Sequence, residues 1–431
     1  MIYQMECFAD DREAFQAFEK FFNSSFLSDV VLIVGPKKYF AHRIVLARGS
    51  DVFDRMLSHK WDGNKKEIEL SEDPQCVDYF ETFLKFFYSN HVQLNGSNIL
   101  PLLILADKYN FNGLRTVCVN YAITYVLKEL PLKEIVNVWF SYSSKTCHTV
   151  LVQECIRIIG ANLTEIISSE EWSKDWMALD RDQLIEILKN NDLVVPNEFV
   201  LFKALLKWIS APQSPERRGS TSSPSLVQII PWIRFPYMTA EELSEIESSQ
   251  IAQVHSKLFM PFTHNAFKYI SLPLGARIGN KEFHTSQFLL RCYSDTNWCK
   301  KITITNEQLY ERGVDHCFPF VTKSSTVPVV NWNWTLKFTI ASSFPNANDE
   351  LKVDLASDDV DNQRSIEYHL MVVGDKKVLR EVSGKKLFTK SRYHTDIELA
   401  KQVSINELFS ENSPLLVNGN LQLQLILRPI V

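Results

Sequence analysis

Between Ser28 and Leu57 the chain reads SDVVLIVGPKKYFAHRIVLARGSDVFDRML, and no other stretch constrains the fold as tightly. Asp29-Val30-Val31-Leu32-Ile33-Val34 is a short run rich in β-branched residues, which suits a strand. From Phe40 to Phe53 the apolar residues fall instead at helical spacing. The period changes within a few residues, so the amino-terminal part predicts a mixed α and β domain.

At 431 residues the chain exceeds one ordinary core, and two or three domains are expected. A net charge of -5 and a pI near 6.1 leave no electrostatic footprint for nucleic acid. Neither a Cys-x-x-Cys pair nor a His-x-x-x-His pair is present, which argues against a zinc-finger DNA-binding protein. The cysteines are spread from Cys7 to Cys317 with no disulfide-framework spacing, so reduced thiols and a cytoplasmic setting are expected. The opening MIYQMECFADD lacks the basic and apolar regions of a secretory signal, and no run approaches a bilayer span. Asn-x-Ser/Thr triplets at Asn23, Asn95, Asn162 and Asn333 are close to chance for this composition.

Tyr3, Met5 and Cys7 alternate with polar residues as a strand would, and Phe15, Phe18 and Phe22 then recur at helical spacing. Helices are expected from about Ile44 and from about Ser50 to Ser58, and a short strand over Glu67 to Leu70. A helix opened by Pro74 carries Phe80, Phe83, Leu84 and Phe87, and two more lie within LPLLILADKYNFNGLRTVCVNYAITYV (Leu100 to Val126). From Leu130 to about Ile251 the pattern stays helical, broken by the Pro/Ser-rich stretch 210–225, which is expected to be a mobile loop. Past about Phe262 the period becomes two: Trp332, Trp334, Leu336, Phe338 and Ile340 alternate with polar residues. Leu421, Leu423, Leu425 and Leu427 do the same, and Ile366 to Val372 leads into a hairpin-type turn at Gly374-Asp375. Such half-buried strands predict an antiparallel sandwich.

The segment Ser28 to Leu57, with Ala106, Asp107, Leu114, Cys118 and Tyr121 further on, closely resembles a BTB/POZ domain over roughly Phe21 to Val126. LKNNDLVVPNEFVLFKALLKWI (Leu188 to Ile209) and IRFPYMTAEELSEI (Ile233 to Ile246) resemble the signatures of the BACK domain, which follows BTB in kelch-type adaptors. Kelch blades need paired glycines, and this chain has 13 glycines in all, so a propeller is excluded. The expected architecture is α+β and multidomain: BTB over 1–127, helical BACK over 128–262, and a carboxy-terminal antiparallel β-sandwich over 263–431, TRAF/MATH-like or jelly-roll-like.

The resemblance implies a homodimer in which protomers exchange the first strand. It places Tyr3, Met5, Phe15, Phe18 and Phe22 at the dimer interface, with Asp29 and Arg43 as a charged pair beside it. It also implies a cullin-3 docking face near the helix ending at Leu57. There HKWDGNKKEIEL offers Trp61 as a hydrophobic anchor followed by Asp62, with Gly63 where the family usually has Glu. Tyr109, Asn110 and Phe111 would line the same face, and Pro131, Leu132, Ile135 and Val136 would extend it or serve as core. The carboxy-terminal domain would capture a protein target. The expected function is thus a non-enzymatic adaptor of a cullin-3 ubiquitin ligase, with no cofactor, nucleic acid or membrane involved. The alternative is a self-assembling scaffold without a ligase role, secreted and glycosylated if a signal precedes this sequence.

Several other residues have plainer readings. His42 is expected to be a satisfied core histidine, and Trp332 and Trp334 to be sandwich core before they are a glycan or peptide groove. Asp358, Asp359 and Asp361 read as a solvated turn, because no EF-hand spacing accompanies them. Cys292, Cys299, His316 and Cys317 match no standard zinc pattern. No Gly-x-Ser-x-Gly elbow, phosphate loop, dinucleotide fingerprint or His-Glu-x-x-His occurs.

Overall fold

The computed structural model describes residues 17–58, 66–211, 225–324, 327–341, 349–358 and 360–430. The chain divides into two compact units, Met1–Cys155 and Ile156–Val431. The expected loop at 210–225 lies almost wholly outside the described residues.

In the first unit, β1 (Val30–Val34) buries Val30, Leu32 and Val34 on one face, the alternation its sequence predicts. Gly35, at φ 54, opens the tight turn into β2 (Lys37–Ala41), which pairs antiparallel with β1. Strand β3 (Glu67–Leu70) pairs with β1 in parallel on the other edge. Between β2 and β3 run α1 (Arg43–Gly49) and α2 (Asp51–Met56). Ser50 separates these helices, its hydroxyl accepting from the Phe53 N–H at 3.0 Å and donating to the Tyr109 carbonyl. Gly49 is required by packing, because a Cβ there would lie 2.8 Å from the Phe87 ring. Three longer helices follow: α3 (Phe80–Ser89), α4 (Ile99–Lys108) and α5 (Asn112–Tyr121). Pro74 opens only a short turn, Pro74–Val77, separate from α3. Phe53, Phe80, Phe83 and Phe87 meet Tyr109 and Phe111 in one aromatic core, with Phe87 and Phe111 centroids 4.1 Å apart.

The second unit opens with helices whose starts are chemically marked. Asp180 and Gln183 form a capping box on α6 (Arg181–Lys189), and Asn197 caps α7 (Glu198–Ile209) through the Val200 N–H. A second capping box, Thr239 with Glu242, begins α8 (Ala240–Ser248). The helix α9 (Ser256–Ser271) runs through the boundary expected near residue 262. Pro261 sits inside it, and an internal proline reads in sequence as a helix end. Helical turns persist to Phe288.

Two residues before α7, β4 (Val194–Val195) pairs in parallel with β5 (Cys292–Tyr293), the entry to the strand-rich region. A buried polar cluster accompanies this junction. The Glu198 carboxylate accepts from the Arg291 guanidinium at 3.2 Å, from the Tyr293 hydroxyl at 2.9 Å and from the Arg234 N–H at 3.1 Å. Arg291 also donates to the carbonyls of Leu188 and Trp232, and Arg234 to those of Leu289 and to the Asn191 side chain. Burial, and then the charge of Arg291, lower the Arg234 guanidinium to about 10.

The remaining strands build an antiparallel sandwich. One sheet joins β11 (Val378–Phe388), β10 (Arg364–Val373) and β14 (Asn420–Pro429) in that order, with β6 (Cys299–Ile304) on the other edge of β14 and β13 (Leu416–Val417) as a short partner. The facing sheet runs β12 (His394–Asp396), β9 (Glu350–Ser357), β8 (Asn331–Ala341), β7 (His316–Lys323). Trp334, Leu336 and Phe338 from one sheet and Ile366, Leu370, Leu423 and Leu425 from the other share a single core. Trp332 and Trp334 are both buried there, as their alternation predicts, and Trp334 donates to the Thr322 hydroxyl at 2.9 Å. The hairpin at Gly374 forms as expected, with its N–H donating to the Lys377 carbonyl.

Within the sandwich sheet, Glu381 sits between His369 and His284, each at 3.0 Å, and accepts from the Gly279 N–H at 2.6 Å. Burial alone would raise this carboxyl, but those three hydrogen bonds more than offset it and hold it at about 2. Because the folded value lies below the ordinary 4.5, the stabilisation is present above that value and is lost as pH falls from about 4.5 through about 2. Urea titrations across that window are expected to show a loss of about 3 kcal/mol that Glu381→Gln does not show.

Candidate protein-docking surface

Among the described residues, the first unit carries an exposed apolar surface. Residues 18–27 lie over the start of α1: Phe21 packs 5.9 Å from the His42 ring and Phe22 the same distance from Tyr88. Phe18, Phe26, Leu27, Phe40 and Ile44 remain exposed, Phe26 at 64% and Ile44 at 79%. Phe26 stacks on Phe21 at 6.1 Å, and the Asn23 side chain accepts from the Phe40 N–H, so these residues form one neighbourhood. Clustered large apolar side chains of this kind mark an interaction surface. Of the residues expected at a dimer interface, Phe18 is exposed here, Phe22 is half-buried against Tyr88, and Tyr3, Met5 and Phe15 lie outside the described residues.

Asp29 accepts from the Arg43 N–H at 2.8 Å and so supplies the cap that His42 does not give to α1. The Arg43 guanidinium donates to the Leu57 carbonyl at 2.9 Å. Asp29 is exposed, and its contact with Arg43 is to the backbone N–H. His42 is the satisfied core histidine expected from sequence. Its Nε2 lies 3.0 Å from the Phe26 carbonyl, which can only accept, so that nitrogen carries the proton. Nδ1 then accepts from the Tyr88 hydroxyl at 2.9 Å, and that hydroxyl accepts from the His42 N–H. Burial pushes the Tyr88 phenol up to about 12.

The expected cullin-facing residues divide differently. Trp61, Asp62 and Gly63 lie outside the described residues. Tyr109 and Phe111 do not present their rings to a partner, which corrects their placement on a docking face. Tyr109 is buried, stacked on Phe53 with centroids 4.4 Å apart, and its hydroxyl donates to Glu72 at 2.5 Å. Phe111 is buried between α3 and α5. Between them Asn110, at φ 48, turns the chain, and its side chain donates to Asp51 of α2 at 3.1 Å on the surface. A left-handed residue between two aromatics sends both rings to the same interior. Ile135 and Val136 are core, while Pro131 is exposed.

Sequence reading missed the polar hub of this unit. Asp107 accepts from Arg115 at 2.7 Å and from the Tyr142 hydroxyl, and lies 2.7 Å from His148 Nε2. Arg115 also donates to Asn110 and Asn112, so the hub reaches the turn beside α2. The signal was available: Asp107 is the only charge in the apolar run Ile99 to Ala106 and its immediate successor. Removing a carboxylate that satisfies three partners should cost roughly 2–3 kcal/mol. Asp107→Ala is therefore expected to lower the denaturation midpoint clearly, and an unchanged midpoint would show the hub to be ornamental.

Among the described residues no group of three His, Cys, Asp or Glu side chains is placed to hold a metal ion, and no helix is long and apolar enough to cross a membrane. Asp358 is held by the Thr335 hydroxyl at 2.8 Å, and Asp359 lies outside the described residues.

The family comparison places domains on these elements: residues 18–125 match the BTB/POZ domain and residues 136–247 the BACK domain, "BTB And C-terminal Kelch". The chain thus carries a BTB/POZ domain and a BACK domain, followed by a carboxy-terminal antiparallel β region. It is similar to BTB/POZ domain-containing protein 17 of Xenopus tropicalis, 26% identical over 280 residues (64% of this chain, 56% of that one). It is also similar to human BTB/POZ domain-containing protein 6, 28% identical over 290 residues (64% and 51%), and to rat galectin-3-binding protein, 23% over 241 residues (55% and 40%). The aligned region spans about half the length of these curated relatives.

Proposed function

We propose that this protein is a non-enzymatic adaptor that pairs with itself through the BTB domain, docks cullin-3 on the helical flank of that domain, and holds a protein target with its carboxy-terminal sandwich. The observation that carries this reading is the uncovered apolar flank around Phe26 and Ile44 on a domain otherwise well packed. Trp61, followed by Asp62 in the sequence, supports the cullin contact, since a large aromatic is an effective anchor. Gly63 removes a charged contact that relatives of this type usually make. Two copies per particle would raise the effective concentration of the ligase at its target.

The test is association of the purified protein with the cullin-3 amino-terminal region. Binding is expected, and Trp61→Ala should weaken it about tenfold or more. Absence of binding by the intact protein rejects the ligase role.

A second reading, a scaffold without a ligase role, is favoured by Asn95 and Asn162, both exposed on turns with Ser97 and Thr164 completing their triplets. Intact mass of the native protein separates the two: glycans at these positions would place it in the secretory route.

A further inference from the structure

Inside the second unit, a cleft of about 320 Å³ opens where helices of the BACK side meet β6 and β14. Tyr237, Tyr269, Tyr293 and Trp298 supply aromatic walls, and Arg277 and Arg428 supply guanidiniums. Ligand sites have this composition, mostly apolar with a few convergent polar groups, and the volume is at the small end of their range.

Two buried polar groups here keep hydrogen-bonding capacity. Tyr269 is 3% exposed, and its hydroxyl makes no well-aligned hydrogen bond among the described residues although Arg277 and Tyr237 lie close to it, whereas Tyr237 donates to the Phe288 carbonyl and Tyr293 to Glu198. Arg277 is 6% exposed and lies over the Tyr269 ring, its guanidinium carbon 3.9 Å from the ring centroid. Its Nε donates to the Leu272 carbonyl at 3.3 Å, and among the described residues no carboxylate lies within ion-pair distance of it. Arg428 shares that carbonyl at 2.9 Å but has Glu367 opposite it in the sheet register. The buried cluster next to the cleft adds positive charge, because Arg234 and Arg291 face the single carboxylate of Glu198. A buried cation without a counter-ion is costly, so a site built around one is suited to an anion.

We infer that this cleft binds a carboxylate carried on an aromatic or branched apolar body, with the carboxylate on Arg277 and Tyr269 and the body between the aromatic walls. A planar carboxylate matches the edge of a stacked guanidinium, and one uncompensated charge suits a monoanion better than a phosphate dianion. The volume admits one ring or branched chain. Such a group is supplied either by a free organic acid or by the carboxy-terminal residue of a peptide. The inference does not depend on cullin binding, and either can fail alone.

The test is calorimetric titration of the purified full chain with 3-phenylpropionate and its amide, and with a short peptide ending in phenylalanine, as free acid and as carboxamide. Saturable one-to-one binding of at least one acid is expected, at least about tenfold tighter than its amide. Arg277→Met should erase that preference. If that variant does not fold, Arg277→Lys keeps the charge, loses the fork, and should still narrow the preference several-fold. A tighter peptide acid identifies a protein terminus as the source, and a tighter free acid a metabolite. No saturable binding of either acid, equal binding of acid and amide, or an acid preference unchanged in the folded Arg277 variant overturns the inference.

Discussion

Replacing Glu198 with leucine is expected to destabilise the second unit by roughly 3–5 kcal/mol, enough to leave much of the protein insoluble. Glu198 is fully buried, and its loss strands the Arg291 guanidinium, equally buried, without a counter-charge. The Tyr293 hydroxyl and the Arg234 N–H lose their acceptor at the same time. Exchanging both partners, Glu198→Leu with Arg291→Met, should recover only part of the loss, because the Arg291 charge is removed while the buried Arg234 guanidinium is left without a carboxylate. Chemical denaturation of the two variants decides the matter. A single variant within about 1 kcal/mol of the parent would mean that water reaches the cluster.

Charge placed on the exposed flank, Phe26→Glu together with Ile44→Glu, is expected to convert the proposed dimer to single protomers. Each dimer would lose four large apolar contacts, and burying one such side chain contributes about 1.5–3 kcal/mol, so the dissociation constant should rise at least about a thousandfold. The fold should survive, because both side chains are already exposed in the single chain. Sedimentation at micromolar concentration reads the outcome. A parent protein that is already monomeric, or a variant that still pairs, would remove self-association from the proposed function.

The parts of the fold written in periodicity were legible. Val30, Leu32 and Val34, and Trp334, Leu336 and Phe338, show in alternation which face they bury, and the structure buries those faces. What periodicity hides is direction at turns and pairing at a distance. The BTB resemblance places Tyr109 and Phe111, in the turn between two helices, on a docking face, yet the positive φ of Asn110 returns both rings to the core. Glu198 resembled an ordinary acidic first-turn residue after the Asn197 cap, and nothing local reveals its partner 93 positions away. The boundary expected past about Phe262, where the period turns to two, falls instead inside the helix Ser256–Ser271, which continues through Pro261.

The pairing of β4 with β5 bears on how the molecule can be dissected. A fragment halted at residue 262 would keep Glu198 and Val195 while discarding Arg291 and Tyr293, the far halves of the same ladder and the same charge cluster. Helical and strand-rich portions of this unit are therefore bound to melt in a single step. A target held by the sandwich, as proposed, would be tied to the preceding helices through that ladder and that charge cluster.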